Sequence, residues 1–483
     1  MKKSFSIICL ILAMLMLLSA CQNDKPDIGE SEHTETDLPT EGDNFSLPNV
    51  KYGGETFKIL SVTDYNDRHY LVRDEYEGDA ITDTVVERTA YIEETYDVEL
   101  EFVGQNNPVD VISNSHMGGG KEFDMIDPHP TEGIATLFTE GLLSDLRSLQ
   151  YVSVEEPWYN QSETSGYTVD GKLYLAVSDL TLTGQNFAGL VYNKDLYHSL
   201  GEPLGDLYQL VDDGAWTLEK LLTLSETFGS DVNSDDIYDA NDQYGLVYHY
   251  GYTSNYMYGA GQHVLRKNDE GVFELAFNNQ TLTKVAETLN GTLYGAGNHT
   301  FVGAAIVSTF PSSDLWKIFS RGDALCLTFD FGGLYTLLRD LTFRKGYLPM
   351  PKYDETQKDY EILCGAGFVG IPALVKNSEM SAVILEAMSY YSYKNLRPEF
   401  FESILMGKLA YDPADYKMLE LMHEHKVFDI GYTLDSSGVA TWILGATVIE
   451  NKSTAVTAYM RGKKNQLNEI VNMANSLGTS GQQ

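Results

Sequence analysis

Residues 57–62 (FKILSV), 81–96 (ITDTVVERTAYIEETY) and 98–102 (VELEF) give the clearest secondary-structure signals in the first third of the chain. The first is a short apolar run whose length suits a buried strand. The third alternates apolar residues with glutamates, which is the period of a strand. The segment between them is typical of a helix. Two strands joined by a connection of helix length predict a parallel βαβ unit.

Strands and helices continue to alternate along the rest of the sequence. Residues 123–126 (FDMI) predict another short strand, and Thr217 is placed to cap a helix that runs to about Phe228. Apolar residues at helical spacing mark one face of each of two later helices, at 384–391 and 467–474. We find no internal repeat, and the alternation predicts an α/β fold.

Length and charge restrict the class of protein. The 483 residues exceed what one hydrophobic core usually serves, so two lobes are expected. The chain has 70 acidic residues against 33 lysines and arginines, which gives a formal net charge of −37. Such a surface repels phosphate backbones and anionic lipids, so we expect neither a nucleic-acid partner nor direct binding to a membrane surface.

The first residues predict export from the cell. Two lysines precede an apolar run over 5–18, and Leu18-Ser19-Ala20-Cys21 resembles a bacterial lipobox. We expect a signal peptide at 1–20 and acyl chains on Cys21, which would anchor the protein at the extracellular face of the cell membrane through lipid only. The alternative is an ordinary signal peptide that happens to contain a cysteine.

The segment that follows the signal peptide predicts a linker. Residues 21–53 are acidic and poor in apolar side chains, and they include three prolines. Such a segment cannot bury enough apolar surface to offset the entropy lost on ordering, so we expect it to be disordered. The folded, solute-binding part is then 54–483. Its two cysteines, Cys326 and Cys364, both lie in apolar contexts, which suit either a disulfide or two buried thiols.

Residues 231–242 (DVNSDDIYDAND) are similar to a calcium-binding loop. Oxygen-bearing side chains occupy positions 1, 3, 5, 9 and 12, and position 7 normally contributes its backbone carbonyl. Position 6 is Asp236 instead of glycine, and position 12 is aspartate instead of glutamate, so the alternative is a polar surface loop in an acidic protein. The predicted ligands of a structural calcium ion are Asp231, Asn233, Asp235, Ile237, Asp239 and Asp242.

No catalytic motif stands out from the sequence. Residues 118–121 lack the leading glycine and the trailing serine or threonine of a phosphate-binding loop. There is no Gly-x-Ser-x-Gly or His-Glu-x-x-His sequence, and acidic residues are too frequent for their proximity to indicate a glycosidase. We therefore predict that the protein is not an enzyme.

Several segments, in a shared order over most of the chain after the linker, resemble extracellular solute-binding protein family 1 in its long clostridial form, the sugar-binding lipoproteins of ABC importers. The segments are FDMIDPHPTEGIATLFTEGLLSDL (123–146), EPWY (156–159), GKLY (171–174), VYNK (191–194), GAWTL (214–218), DQYGL (242–246) and YLPMPKYD (347–354). Tyr159 stands where the family frequently has a second tryptophan. We expect this difference to affect which ligand is bound and not the fold.

The resemblance implies a two-lobed, type II periplasmic-binding-protein-like fold. Its lobes would be joined by hinge crossovers and would hold the ligand in the cleft between them. Lobe 1 would comprise about 54–182 and 348–396, and lobe 2 about 183–347 and 397–483. Binding would close the hinge, so that the permease subunits of an ABC transporter recognise the closed form.

Sugars present apolar C–H faces and many hydroxyls, so a sugar site needs flat aromatic rings and polar side chains. The predicted ligand residues are Trp158, Tyr159, Asp179, Gln185, Asn186 and Trp442. For the aromatic residues the alternative is packing in the core or between lobes, and for the polar residues it is simple solvation. Five tyrosines at period two over 248–258 form a second candidate surface, as a strand or an extended loop that faces one side.

These observations lead to one hypothesis and two alternatives. The hypothesis is a monomeric, lipid-anchored protein that delivers a carbohydrate, in particular an oligosaccharide, to an ABC importer. One alternative is a secreted lipoprotein enzyme that acts on carbohydrate, which would need two carboxylates about 5–10 Å apart in a cleft. The other is a surface receptor for a peptide or another solute, since one fold can serve several functions.

Overall fold

The computed structural model describes residues 45–63, 71–129, 133–181, 187–303, 311–330, 337–338, 340–365 and 367–477. The predicted signal peptide, Cys21 and most of the predicted linker lie outside the described residues, as do Gln185 and Asn186. From Leu47 onward the described chain forms one compact unit.

Thirteen strands are present among the described residues. They are β1 (Glu55–Val62), β2 (Val98–Gln105), β3 (Met125–Asp127), β4 (Ala188–Asn193), β5 (Gly229–Ser230), β6 (Gln243–His249), β7 (Leu265–Lys267), β8 (Phe273–Leu275), β9 (Thr300–Gly303), β10 (Ala324–Asp330), β11 (Lys345–Pro349), β12 (Ile362–Leu363) and β13 (Lys426–Val427).

The α-helices of the same residues alternate with these strands. They are α1 (Ala80–Tyr96), α2 (Pro108–Met117), α3 (Ile134–Thr139), α4 (Gln161–Tyr167), α5 (Lys194–Ser199), α6 (Leu207–Asp212), α7 (Leu218–Ser225), α8 (Thr253–Gly259), α9 (Asn279–Tyr294), α10 (Asp314–Ser320), α11 (Ser378–Tyr391), α12 (Arg397–Glu399), α13 (Pro413–Glu424), α14 (Ile430–Leu434), α15 (Val456–Gly462) and α16 (Lys464–Ser476). Wider π-helical turns occur at Ser392–Leu396, Phe400–Leu409 and Gly445–Glu450.

The first sheet contains the predicted βαβ unit. Its strands lie in the order β2-β1-β3 and are all parallel, with Ile59 of β1 opposite Phe102 and Met125. The apolar run that predicted β1 is buried except for the half-buried Lys58, and β1 lies between β2 and β3 in the sheet. The side chain of Asp79 accepts a hydrogen bond from the Ile81 amide and begins α1. The prediction from 57–102 is confirmed.

The second sheet is larger and mixed. Its strand order is β11-β4-β10-β6-β5, and β9 also pairs with β6. β4 runs antiparallel to β10 and β11, whereas β6 runs parallel to both β9 and β10. The carboxyl ends of these three parallel strands therefore lie at the same edge of the sheet. Two small sheets, β12-β13 and β7-β8, complete the pairing of the described strands.

Other predicted elements agree with the structure apart from their ends. Thr217 caps α7 as predicted, by accepting from the Lys220 amide at 3.4 Å, but the helix ends at Ser225, three residues early. The strand predicted at 123–126 is β3, shifted by two residues at its start. The later helices predicted from apolar spacing are α11 and α16.

The tyrosine-rich segment 248–258 differs from the prediction. It leaves β6 at His249, makes a single 3₁₀ turn over 250–252 and continues as α8. The prediction of one strand or extended loop is therefore wrong. Every residue of α8 is buried, so the period-two tyrosines do not mark one face of an extended chain. Tyr256 and Tyr258 pack in the core.

The two cysteines are buried thiols, and no disulfide joins any of the described residues. Burial raises the pKa of the Cys364 thiol to about 11, so it stays protonated at neutral pH. None of the described helices combines the length and the apolar character that a membrane span requires.

Candidate functional site

A cleft lies at the carboxyl edge of the second sheet. In open α/β sheets, ligands bind outside the carboxyl ends of the strands. At this edge Asp330, the last residue of β10, meets the start of β4 and the turn that follows β6. A cavity of about 140 Å³ opens here and is lined by Phe187, Ala188, Gly251, Tyr252, Ser254, Asn255, Asp330, Leu363, Gly365 and Tyr432.

Polar side chains form the floor of this cleft. Asn255 is only 8 % exposed, and none of the hydrogen bonds among the described residues uses its side-chain amide. Asp330 is buried and accepts a hydrogen bond from the Tyr252 hydroxyl. Ser254 donates to the Thr441 carbonyl at 2.6 Å, which ties α8 to the segment before Trp442. A buried amide at a cavity wall has both a donor and an acceptor to offer a ligand.

Aromatic rings lie next to this cavity, and one of them, Tyr252, lines it. This aromatic wall consists of His249, Tyr250, Tyr252 and Trp442. The ring centroids of His249 and Tyr252 are 4.8 Å apart, and Tyr250 meets Trp442 edge to face at 6.3 Å. Tyr250 is 40 % exposed, and Trp442 is half-buried. Exposed flat rings beside buried polar groups are the combination that binds the C–H faces and hydroxyls of a sugar.

The position of Trp442 is fixed by two neighbours. Its indole N–H donates to Glu450 Oε1 at 2.8 Å. Its ring lies against Gly445, where an added Cβ would come within 2.0 Å of Trp442 Cε2, so only glycine leaves room for it. Packing of the Trp442 ring therefore explains why residue 445 is a glycine.

Trp158 and Tyr159, two predicted ligand residues, lie beside the buried carboxylate of Glu386. The Trp158 indole N–H donates to Glu386 Oε1 at 3.1 Å, and the Tyr159 hydroxyl donates to Glu386 Oε2 at 2.8 Å. Each is only 2 % exposed, and Trp158 also meets Tyr390 edge to face at 5.1 Å. Burial raises the pKa of Glu386 to about 7. These contacts favour the packing role for Trp158.

Tyr159 and Asp179 line a second, larger cavity of about 720 Å³, which we call the basic cavity. It is bounded by 157–161, 177–179 and 393–401, together with His423 and Lys426. Asp179 is buried and forms an ion pair with Arg397 at 3.4 Å. In the part of the chain that the structure describes, the cleft and the basic cavity share no lining residue. The structure thus brings Tyr159 and Asp179 together and places Trp442 elsewhere.

None of the predicted ligand residues is among the described residues that line the cleft, and the polar side chains of Tyr252, Asn255 and Asp330 were not predicted as ligand contacts. The tyrosine-rich segment did indicate this region, but as a strand, which hid the polar residues at the start of α8. Asp330 ends the apolar run of β10, and a polar residue at the carboxyl end of a buried strand is a usable sequence signal.

The predicted calcium loop is organised by its own carboxylates. Asp231 accepts hydrogen bonds from the Ser234 and Asp236 amides, and the buried Asp242 accepts from the Val232 and Asp239 amides. Asp236 has φ 59°, the left-handed conformation that favours glycine. Within the described parts of the chain, no group of three or more His, Cys, Asp or Glu residues is placed to hold a metal ion. The calcium site stays a prediction.

Comparison with known proteins gives structural similarities only. No protein-family profile matches the chain. No curated protein sequence matches it. Apo RafE from Streptococcus pneumoniae is 14% identical, covers 90% of this chain and 100% of its own, and has a TM-score of 0.52. The GacH receptor of Streptomyces glaucescens is 12% identical over 86% of this chain and 98% of its own, with a TM-score of 0.55.

A third solved structure agrees with these two. The maltose/maltodextrin-binding domain MalE from Bdellovibrio bacteriovorus is 14% identical over 88% of this chain and 99% of its own, with a TM-score of 0.52. These similarities extend over nearly the whole length of each neighbour. The chain therefore has the predicted α/β, two-lobed, type II periplasmic-binding-protein-like fold.

Proposed function

We propose that this protein binds a carbohydrate, in particular an oligosaccharide, in the cleft at the carboxyl edge of its second sheet, and that it delivers the carbohydrate to an ABC importer. The observation that carries the proposal is the pairing of the aromatic wall with Asn255. The Asn255 amide is buried at the cavity wall, and no hydrogen bond among the described residues occupies it. A sugar hydroxyl satisfies both halves of such an amide.

The solved structures with this fold support the same class of ligand. The Bdellovibrio MalE domain is bound to maltotriose, and the GacH receptor was solved in complex with acarbose. Their sequence identity to this chain is too low to carry a particular sugar across. The cleft itself also supports this class of ligand, because its aromatic rings suit the apolar faces of pyranoses and its amide suits their hydroxyls.

The proposal includes the predictions that concern the rest of the protein. Lipid on Cys21 would hold the protein at the extracellular face of the membrane, and residues 21–53 would act as a linker. Lobe 1 would comprise about 54–182 and 348–396, and the remaining segments would form lobe 2. Permease subunits would recognise the closed, monomeric protein, and calcium would pin the 231–242 loop. No catalytic step is part of the proposal.

The test is isothermal titration of the protein with maltotriose, raffinose, cellotriose and xylotriose. We expect one of these to bind, and at a hundred times its Kd it should stabilise the fold by about 2.7 kcal/mol. Trp442→Ala and Asn255→Ala should each weaken binding about tenfold or more, because each removes about 1–3 kcal/mol of ligand contact. Asn472→Ala, an exposed asparagine on α16, is the matched control and should bind as the wild type does.

Two outcomes would contradict the proposal. If no sugar in the panel binds, or if both cleft variants bind as tightly as the wild type, the cleft is not a carbohydrate site. If the bound sugar is converted to products that chromatography resolves, the protein is a carbohydrate-active enzyme and the delivery role is wrong.

A further inference from the structure

The basic cavity has a charge opposite to that of the protein as a whole. Its described lining residues include three cationic side chains, Lys394, Arg397 and Lys426, and one carboxylate, Asp179. The whole chain has the reverse excess, with 70 acidic residues against 33 lysines and arginines. The lining of this cavity therefore has a net positive charge, which favours an anion inside it.

Arg397 is held in place but has most of its donors available. Its guanidinium lies between two aromatic rings, 5.6 Å from the Tyr393 centroid and 5.9 Å from the Phe401 centroid. Among the described residues it makes one hydrogen bond, a long one of 3.4 Å to Asp179. A guanidinium has five N–H donors in a rigid fork that matches the geometry of a carboxylate or a phosphate. Arg397 lines the basic cavity, so this fork is available to a ligand there.

Lys426 lies deeper than Arg397 and is only 7 % exposed. Its Nζ lies 3.0 Å from Nε2 of His423, and burial keeps the pKa of His423 far below its usual range, so the ring is neutral and accepts from the ammonium. Burial also lowers the pKa of Lys426 to about 8, which leaves it charged at neutral pH. The carboxylate of Asp179, which lines the same cavity, acts against this lowering and favours the charged lysine.

We propose that the basic cavity is a second ligand site that binds an oxyanion, either phosphate or the carboxylate of a small organic acid. Arg397 holds the anion through its fork, Lys426 supplies charge from within, and Lys394 contributes at the rim. The volume of about 720 Å³ exceeds the size of a single phosphate, so it accommodates a small organic anion as well. The polar side chains of Asn160 and Gln161, which also line the cavity, can bind its remaining oxygens.

This site is distinct from the carbohydrate cleft. Among the described residues, the two cavities share no lining residue, although the ring of Phe187, which lines the cleft, meets His423 of the basic cavity at 6.3 Å. The strand pair β12-β13 contributes to both, because Leu363 lines the cleft and Lys426 lines the basic cavity. The inference therefore does not rest on the proposed function.

The experiment is isothermal titration of the protein with inorganic phosphate, citrate and galacturonate at one fixed ionic strength. We expect saturable binding at one site per chain by at least one of them, and the arm that binds identifies an inorganic or an organic anion. Arg397→Gln and Lys394→Gln should weaken that binding at least tenfold and threefold respectively. Lys358→Gln, which removes the same charge from a side chain that is 91 % exposed, should leave it unchanged.

Three results would overturn the proposal. They are the absence of saturable binding by all three anions, equal affinity in the wild type and Arg397→Gln, and loss of anion binding when the cleft is saturated with maltotriose or another sugar that binds. Circular dichroism of each variant shows whether it is folded. Because Lys394 is half-buried at the rim, Lys394→Gln provides a second variant should Arg397→Gln fail to fold.

Discussion

Replacing Trp158 by phenylalanine separates a packing role from a ligand role for this residue. The substitution removes the indole N–H that donates to Glu386, which is worth about 1–3 kcal/mol in a buried site. It also shortens the ring that meets Tyr390 edge to face, a contact worth about 0.5–1.5 kcal/mol beyond its area. We expect the free energy of unfolding to fall by about 2–4 kcal/mol, a large part of the roughly 5–15 kcal/mol typical of a folded domain.

The assay is urea unfolding followed by far-UV circular dichroism, combined with titration of the same variant with the sugar that binds the wild type. Trp316→Phe is the matched control, because Trp316 is a half-buried tryptophan on α10 that lines neither cavity, and it should lose less than about 1 kcal/mol. The reasoning is refuted if Trp158→Phe unfolds at the wild-type urea concentration while its sugar affinity drops tenfold. That result would restore Trp158 as a ligand residue.

Three further predictions concern buried charge and the acidic loop. Burial raises the pKa of Glu386 from 4.5 to about 7, so between these pH values the folded protein holds a proton that the unfolded chain releases. Lowering the pH from 8 to 5.5 should therefore raise the free energy of unfolding of the wild type by about 2 kcal/mol more than that of Glu386→Gln, as measured by urea unfolding. Parallel plots of unfolding free energy against pH for the two proteins would contradict this. Arg88→Met should lower the free energy of unfolding by about 3–5 kcal/mol, because the buried guanidinium donates to the Leu71 and Leu180 carbonyls. An unchanged melting temperature would show that these carbonyls find other donors. If calcium binds the 231–242 loop, a chelator should lower the melting temperature of the wild type but not that of Asp231→Asn. Identical melting curves of the wild type with and without chelator would show that the loop does not bind calcium.

The sequence was sufficient to predict secondary structure where the pattern of buried residues is local and periodic. The apolar run of β1, the helix α1 and the alternation in β2 each depend on neighbours in the chain, so their pattern predicted a parallel βαβ unit that the structure confirms. The cap at Thr217 is also local, because its side chain bonds an amide three residues away. Such features need no knowledge of the rest of the fold.

The candidate site could be predicted only in part, since its contacts join distant segments. Trp158 bonds Glu386, which lies 228 residues away, and nothing in the sequence near Trp158 indicates that partner. A tryptophan after a proline predicts a ligand contact and a core position equally well. The tyrosines of 248–258 led to a wrong prediction for a related reason: every residue of α8 is buried, including the polar Thr253, Ser254 and Asn255, so no exposed polar face revealed a helix. Trp442 is different, because the neighbouring Gly445 makes room for its ring within one helical turn.

The two cavities should respond differently to ionic strength, because only one of their ligands is charged. An oxyanion that approaches a chain of net charge −37 is repelled over long distances, and salt screens that repulsion within about 8–10 Å. The attraction of Lys426 and Arg397 acts at contact, inside a partly buried cavity where screening is weaker. Added sodium chloride should therefore speed association of the anion until chloride competes for the site, while association of a neutral sugar with the cleft stays constant. If stopped-flow measurements show that the association rate of the anion only falls as salt is added, the anion is attracted to the protein at long range, and this account of the basic cavity is wrong.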